Sequence, residues 1–203
     1  MSTRSDIENQ LKLLARMCPS GYFVGLHIRF AAPMLHFQTY SPAWTDHYTE
    51  QAYALRDPMI AWGFGTEGRA RWSDIKIPDP FDILGQAANY GMVYGIIFSC
   101  GPVKSRTIAS ASRDDREFTN DEIEQFSGIV HHLHEITDPP DSLTQAQADA
   151  LRCIAEGDRH ARAAAKLRIS ESALKARLNS ARQRLMARTT AEAIQRAKDY
   201  RLI

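Results

Sequence analysis

Three cysteines in 203 residues, none of them in a CxxC pair, are too few and too scattered for a disulfide framework or a cysteine zinc site. They are Cys18, Cys100 and Cys153, and their spacing fits a reducing, cytoplasmic setting. Long apolar runs are missing too: none approaches the ~20 residues that a membrane-crossing helix needs. The opening "MSTRSDIENQ" lacks the apolar region of a secretory signal. No P-loop or GxGxxG is present to cradle a phosphate. Ser99, Cys100 and the scattered histidines form no nucleophile–base pattern. His131 and His134 lie three apart in "HHLHE" without a third ligand. These absences argue against an enzyme, a resident metal, a cofactor or a membrane partner.

What is present is ordinary globular material, 44% hydrophobic and 24% charged, with a net charge of +1 that conceals an asymmetry. From Ser142 onward there are 13 Lys or Arg against 6 Asp or Glu, whereas residues 1–141 carry 12 against 18. Such a split points to two domains, the basic one facing a polyanion or simply a solvated surface. The boundary falls in "ITDPPDSLT", where two prolines stop a helix and hold the chain extended. This gives domains at 1–137 and 143–203 with a linker at 138–142.

The first domain mixes periods. Ser5 and Glu8 have capping-box spacing ahead of a helical stripe of Ile7, Leu11, Leu14 and Cys18. "YFVGLHIRF" alternates, with Val24, Leu26, Ile28 and Phe30 on one side, and reads as a half-buried strand. A second short strand is expected from Met34 to Tyr40. Ser41 and Pro42 then start a helix running to about Leu55. After a loop-rich middle come strands at "MVYGIIFSC" and "RTIASAS", then a helix capped by Thr119 and Glu122. Consecutive strands on short turns favour an antiparallel sheet with helices on its faces, an α+β fold of α-β-α sandwich type with room for a small molecule.

The second domain reads as four helices, capped at Thr144, near His160, at Ser170 and at Thr189. A tight turn separates the second from the third, which is helix-turn-helix architecture. In the third, Leu174, Leu178, Ala181 and Leu185 make the apolar stripe. Lys175, Asn179 and Arg182 project from another face, with Arg177 and Arg184 beside them. Such a helix fits the ~12 Å major groove of double-stranded DNA. An ordinary amphipathic helix has the same pattern.

From Leu143 and Thr144 through Leu151, Gly157, Ala164, Leu167, Ile169 and Ser170 to Lys175, Leu185, Thr189, Ala193 and Ala197, the chain resembles the LuxR-type helix-turn-helix domain. The resemblance implies a recognition helix from Ser170 to Leu185, base contacts from Lys175 and Asn179, a phosphate contact from Arg177, and pairing through the last helix. Gln147 and Arg162 stand where the family usually carries acidic residues, and "ALKAR" replaces its more common Thr-Val-Lys-x-His.

The N-terminal half is similar to the acyl-homoserine-lactone-binding domain of quorum-sensing LuxR regulators. Trp44 is followed by Tyr48, then by Asp57-Pro58 and by Trp72, at the family's spacings, and "NYGMVYG" matches its glycine motif at Gly91 and Gly95. Tyr40 falls where some members carry another pocket tyrosine. Chemically, an indole N–H from Trp44 can donate to a lactone carbonyl and ionised Asp57 can accept an amide N–H. Tyr40 can donate to an acyl carbonyl, while Tyr48 and Trp72 wall the ligand. The aromatics also serve as core, and Asp57 as a helix N-cap. The whole resemblance implies a homodimeric, cytoplasmic transcriptional regulator on a two-fold DNA operator, controlled by a small acyl ligand. The alternatives are a regulator with a non-lactone ligand or none, and a small-molecule enzyme fused to a basic domain.

Overall fold

The computed structural model describes residues 3–29, 32–138 and 142–203. Phe30 and the linker residues Pro139, Pro140 and Asp141 lie outside the described residues. Residues 1–137 and 138–203 form two compact units. Among the described residues no helix is long and apolar enough to cross a membrane.

The first unit is built on a five-stranded sheet in the order β2-β1-β5-β4-β3. β1 (Tyr22–Ile28) pairs with β2 (Leu35–Gln38) and with β5 (Arg106–Arg113), while β4 (Tyr94–Cys100) joins β5 to β3 (Gly68–Arg71), every pair antiparallel. On one face Val24, Leu26, Ile96, Phe98 and Ala109 pack against Leu14 of α1 (Thr3–Met17) and Phe126, Val130 and Leu133 of α5 (Asn120–Ile136). On the other, Ile28, Ile97 and Ile108 meet Met59 and Trp62 of α3 (Pro58–Gly65). Helices α2 (Pro42–Glu50) and α4 (Ile83–Ala88) enclose a further cluster around Trp44, Tyr53, Ile83 and Ala87. The α-β-α sandwich expected from the sequence is the observed fold.

Local differences have local causes. β1 alternates as a half-buried strand should, yet only Phe23 is partly exposed, because helices cover both sheet faces. At His27 the register with β5 slips and the backbone turns left-handed, with φ at +52°. Ser5 does not cap α1, which already runs from Thr3. α2 stops at Glu50 rather than near Leu55, since Ala52 adopts φ +51° and a tighter 3₁₀ turn follows at Tyr53–Leu55. The loop-rich middle holds α3, β3 and α4. At α5 the Thr119–Glu122 capping box forms, with the Glu122 carboxylate 2.7 Å from the Thr119 N–H.

The second unit comprises α6 (Gln145–Ala155), α7 (His160–Lys166), α8 (Glu171–Arg184) and α9 (Thr190–Asp199) around Leu151, Leu174, Leu178, Leu185, Ala193 and Ala197. Gly157 ends α6 at φ +90°, where its missing Cβ costs nothing. Arg168 at φ +53° closes α7, and the Ile169 N–H returns to the Ala164 carbonyl at 3.0 Å. This is the short turn of a helix-turn-helix.

Candidate functional site

Asp57 sits where α2 and α3 converge. Pro58 opens α3 with a fixed φ and no N–H to satisfy, and Asp57 caps it by accepting from the Met59 N–H at 2.7 Å. Its second oxygen accepts the Tyr48 hydroxyl, also at 2.7 Å. Asp57 therefore is the N-cap that the Asp-Pro step allowed, and it also holds the neighbouring helix. Burial raises the Asp57 carboxyl, and the bonds from Tyr48 and Met59 partly offset this. Burial, followed by the charge of Asp57, holds the Tyr48 phenol well above its ordinary range.

Ser41 caps α2 by accepting from the Trp44 N–H, which sets Trp44 and Tyr48 one turn apart on the inner face. Their ring centroids are 5.5 Å apart. Tyr53 and Tyr90 extend the aromatic group to 6.4 and 5.4 Å from Trp44. Trp72 packs against the same cluster and donates its indole N–H to the Ser110 hydroxyl at 3.1 Å, and Ser110 in turn donates to the Ile96 carbonyl. The indole lies flat over Gly95, where an added Cβ would come within 2.1 Å of the ring. Gly91, at φ +81°, turns the chain into β4.

Tyr40 belongs to this cluster, and its hydroxyl is buried without a hydrogen bond. Burial pushes its phenol up, moderated by the nearby hydroxyls of Ser110 and Ser112, which come close without completing a bond. The Ser112 hydroxyl is likewise buried and unpartnered. Trp44 packs in the same cluster and is 6% exposed. Two buried hydroxyls, those of Tyr40 and Ser112, thus lack a completed bond within the fold, which makes this region a candidate binding site.

Five of the expected residues, Tyr40, Trp44, Tyr48, Asp57 and Trp72, are brought together. Sequence reasoning missed Ser112, and it missed the polar tie between α2 and α4. There Gln86 receives His47 at 2.7 Å and the Tyr53 hydroxyl at 2.9 Å. These partners are more than 30 residues apart, so no short-range pattern announces them. Of the "HHLHE" histidines, His134 is taken up inside the fold by Thr107 and a stacked His27.

In the second unit Ser170 caps α8 by accepting from the Ala173 N–H at 3.1 Å. Lys175 and Asn179 are exposed and Arg177 half-buried, and none of the three has a partner among the described residues. Arg182 behaves differently from the outward projection expected of it: its guanidinium donates to the Arg188 carbonyl at the α8–α9 junction. That junction also holds Arg196, 9% exposed, which donates to the Leu185 and Met186 carbonyls at 2.7 Å each and to Glu192. Gln147 accepts from the Thr144 N–H and donates to Ser180 on α8, tying the first and third helices of the unit.

A family model described as "Autoinducer binding domain" matches residues 21–136. The transcriptional activator protein RaiR of Rhizobium etli is 25% identical, across 76% of this chain and 71% of its own length. Among solved structures, Escherichia coli SdiA aligns over 100% of this chain and 93% of its own, with TM-score 0.54 and 20% identity. SdiA in complex with octanoyl-rac-glycerol aligns over 98% and 89%, with TM-score 0.53 and 17% identity. At that identity these two structures speak for the fold.

Proposed function

Since the chain belongs to the autoinducer-binding-domain family and is a regulator of the LuxR type, we propose that it binds double-stranded DNA under the control of a small acyl ligand held by Tyr40, Trp44, Tyr48, Asp57 and Trp72. The observation that carries this reading is the pair of buried, unpartnered hydroxyls on Tyr40 and Ser112, with Tyr40 in the aromatic cluster whose Tyr48 bonds the buried carboxylate of Asp57. A ligand with carbonyl oxygens satisfies those donors, and the aromatic rings cover an apolar chain. An N-acyl-homoserine lactone has both features.

The C-terminal unit supplies the other half. Ser170, Lys175, Arg177 and Asn179 lie along the cap and open face of α8, in a stretch from Ser142 onward with 13 basic residues against 6 acidic, and Arg182 steadies the end of that helix. Lys175 and Asn179 would read base edges in the major groove, and Arg177 a phosphate. A homodimer would place two such helices on a two-fold operator. Ligand binding stabilises the folded form by mass action and so favours the DNA-binding dimer.

Selection of bound duplexes from a random library, then footprinting with and without N-octanoyl-homoserine lactone, tests this. A two-fold footprint strengthened or weakened by the lactone is the expected result. A footprint indifferent to every acyl ligand would leave DNA binding and remove the ligand control. A second reading, an acyl ligand other than a lactone, is favoured by the SdiA neighbour that holds octanoyl-rac-glycerol.

A further inference from the structure

The polar ends of the aromatic cluster are closed off from solvent: the Tyr40 and Ser112 hydroxyls are buried and Trp44 is 6% exposed. A small molecule reaches them only when part of their cover moves. The parts of that cover are fastened differently. α2 is bonded to α3 through Tyr48 and Asp57. α3 is bonded to the sheet, where the Ser99 hydroxyl donates to the Gly63 carbonyl at 2.6 Å and Gly63 lies against Ile108. Trp72 is held by Ser110 of β5.

The segment that carries α4 has no such route to the sheet. Ile83 and Ala87, 1% and 2% exposed, press on the cluster from the inner face of α4, while Phe81, Asp82 and Gly85 are exposed. Its polar bonds largely close on themselves. Asp79 accepts from the Leu84 N–H at 2.8 Å, the Asp82 N–H returns to the Asp79 carbonyl, and the Gln86 amide donates to the Phe81 carbonyl at 2.9 Å. A segment bonded in this way keeps its shape when it moves. Among the described residues, its side-chain hydrogen bonds to α2 and Tyr53 run through Gln86 Oε1, which accepts from His47 at 2.7 Å and from the Tyr53 hydroxyl at 2.9 Å. At the rim the Arg56 guanidinium lies 4.6 Å over the exposed Phe81 ring, a weak contact in water.

We propose that residues 79–88 form the gate through which a ligand enters the aromatic cluster, and that Gln86 latches this gate against His47 and Tyr53. The proposal rests on the cluster being the ligand site and adds how that site is reached. Gln86 is a positioning residue that acts through its two donors. Local release of such a segment leaves the sheet intact. A latch closed in both the free and the bound protein slows entry and exit alike, so it governs rates more than affinity.

Stopped-flow tryptophan fluorescence with N-octanoyl-homoserine lactone tests this on the full chain, Gln86→Leu and Gln86→Glu. Leucine removes both bonds, so association and dissociation should each quicken about tenfold while Kd stays within about threefold. Glutamate keeps an acceptor for His47 and Tyr53 and loses only the bond to Phe81, so its rates should not exceed the native ones. Faster dissociation alone, with a weaker Kd, would make Gln86 a support of the pocket and overturn the latch. A glutamate variant as fast as the leucine one would assign the effect to the Phe81 bond, with the same consequence. Unchanged rates in Gln86→Leu would put the entrance elsewhere and leave the ligand site standing. No binding of the lactone to the native chain would remove its site and the gate together. Hydrogen exchange reads the gate without any ligand: amides of residues 83–92 should exchange about tenfold faster in Gln86→Leu, with those of β4 and β5 unchanged. Unaltered exchange at 83–92 would overturn the proposal.

Discussion

Tyr48 and Asp57 are joined by a 2.7 Å hydrogen bond from the phenol to a carboxylate that also caps α3 through Met59, so one side chain fixes the end of one helix and the flank of another. Asp57→Asn keeps the shape but presents an amide NH₂ to one of two donors. Its expected cost is about 1–3 kcal/mol of folding stability, from the donor left facing it. Tyr48→Phe should cost a similar amount by leaving one Asp57 oxygen bare. Urea unfolding of each variant without ligand measures this. Unchanged midpoints would mean that the bond contributes nothing to the fold.

Gly95 and Trp72 give a second test. Gly95→Ala places a methyl inside the indole, so Trp72 must leave Ser110. Overpacking of this kind costs about 1–3 kcal/mol. Combining Gly95→Ala with Trp72→Leu should recover part of that loss in thermal melts. A double variant with the summed cost of the two single changes would contradict the packing account.

The pH response should be dominated by His27. It is fully buried, and its Nε2 faces the His134 carbonyl, which can only accept, so Nε2 carries the proton and Nδ1 accepts from Ser105. Burial, then the proximity of His134, lowers its pKa from 6.5 to about 4. A histidine neutral in the folded state and free to charge when unfolded contributes a constant amount above 6.5, and stability falls as pH drops from there toward 4. The loss is on the order of 3 kcal/mol across that window. Glu122, lowered from 4.5 to about 2, first by Arg116, contributes its own loss only below 4.5. The elevated Asp57 carboxyl acts with the opposite sign. Unfolding midpoints between pH 7 and pH 5 should therefore decline in the native chain and decline less in His27→Gln.

In the C-terminal unit, Arg196 closes the end of α8 from within α9. Arg196→Met removes the donor to the Leu185 and Met186 carbonyls and leaves Glu192 without its cation. A loss of about 3 kcal/mol is expected, because the carbonyls have little water to turn to. Lys175→Ala and Asn179→Ala, by contrast, should leave melting unchanged within about 0.5 kcal/mol and abolish operator-specific binding. Footprints that survive both changes would remove α8 from its proposed role.

The elements legible in the sequence are those with a strong period or cap: α1, β1, β2, the start of α2, β4, β5, α5 and the four C-terminal helices. β3 was not legible because "GRAR" is a short, polar edge strand with nothing to alternate. α3 carries two glycines, and Gly63 is there because Ile108 of β5 lies 2.8 Å from where its Cβ would be. α4 is six residues long and begins after Asp82 in a left-handed conformation, with no side-chain cap from Asp82 itself. At the candidate site, the run from Tyr40 to Trp72 was readable from its resemblance to the family's spacing, whereas Ser112 and Gln86 are joined to it only by the fold. The second hydrogen bond to Asp57 likewise depends on where Tyr48 points, which spacing alone does not determine.

We propose that the buried hydroxyls of Tyr40 and Ser112 meet an acyl oxygen of the ligand. Calorimetric titration of N-octanoyl-homoserine lactone into the native chain and into Tyr40→Phe/Ser112→Ala tests it most directly. The double variant removes unpaired hydroxyls, so it should fold at least as stably and yet bind the lactone about tenfold more weakly or worse. Equal affinity for both proteins, with equal stability, would contradict the account.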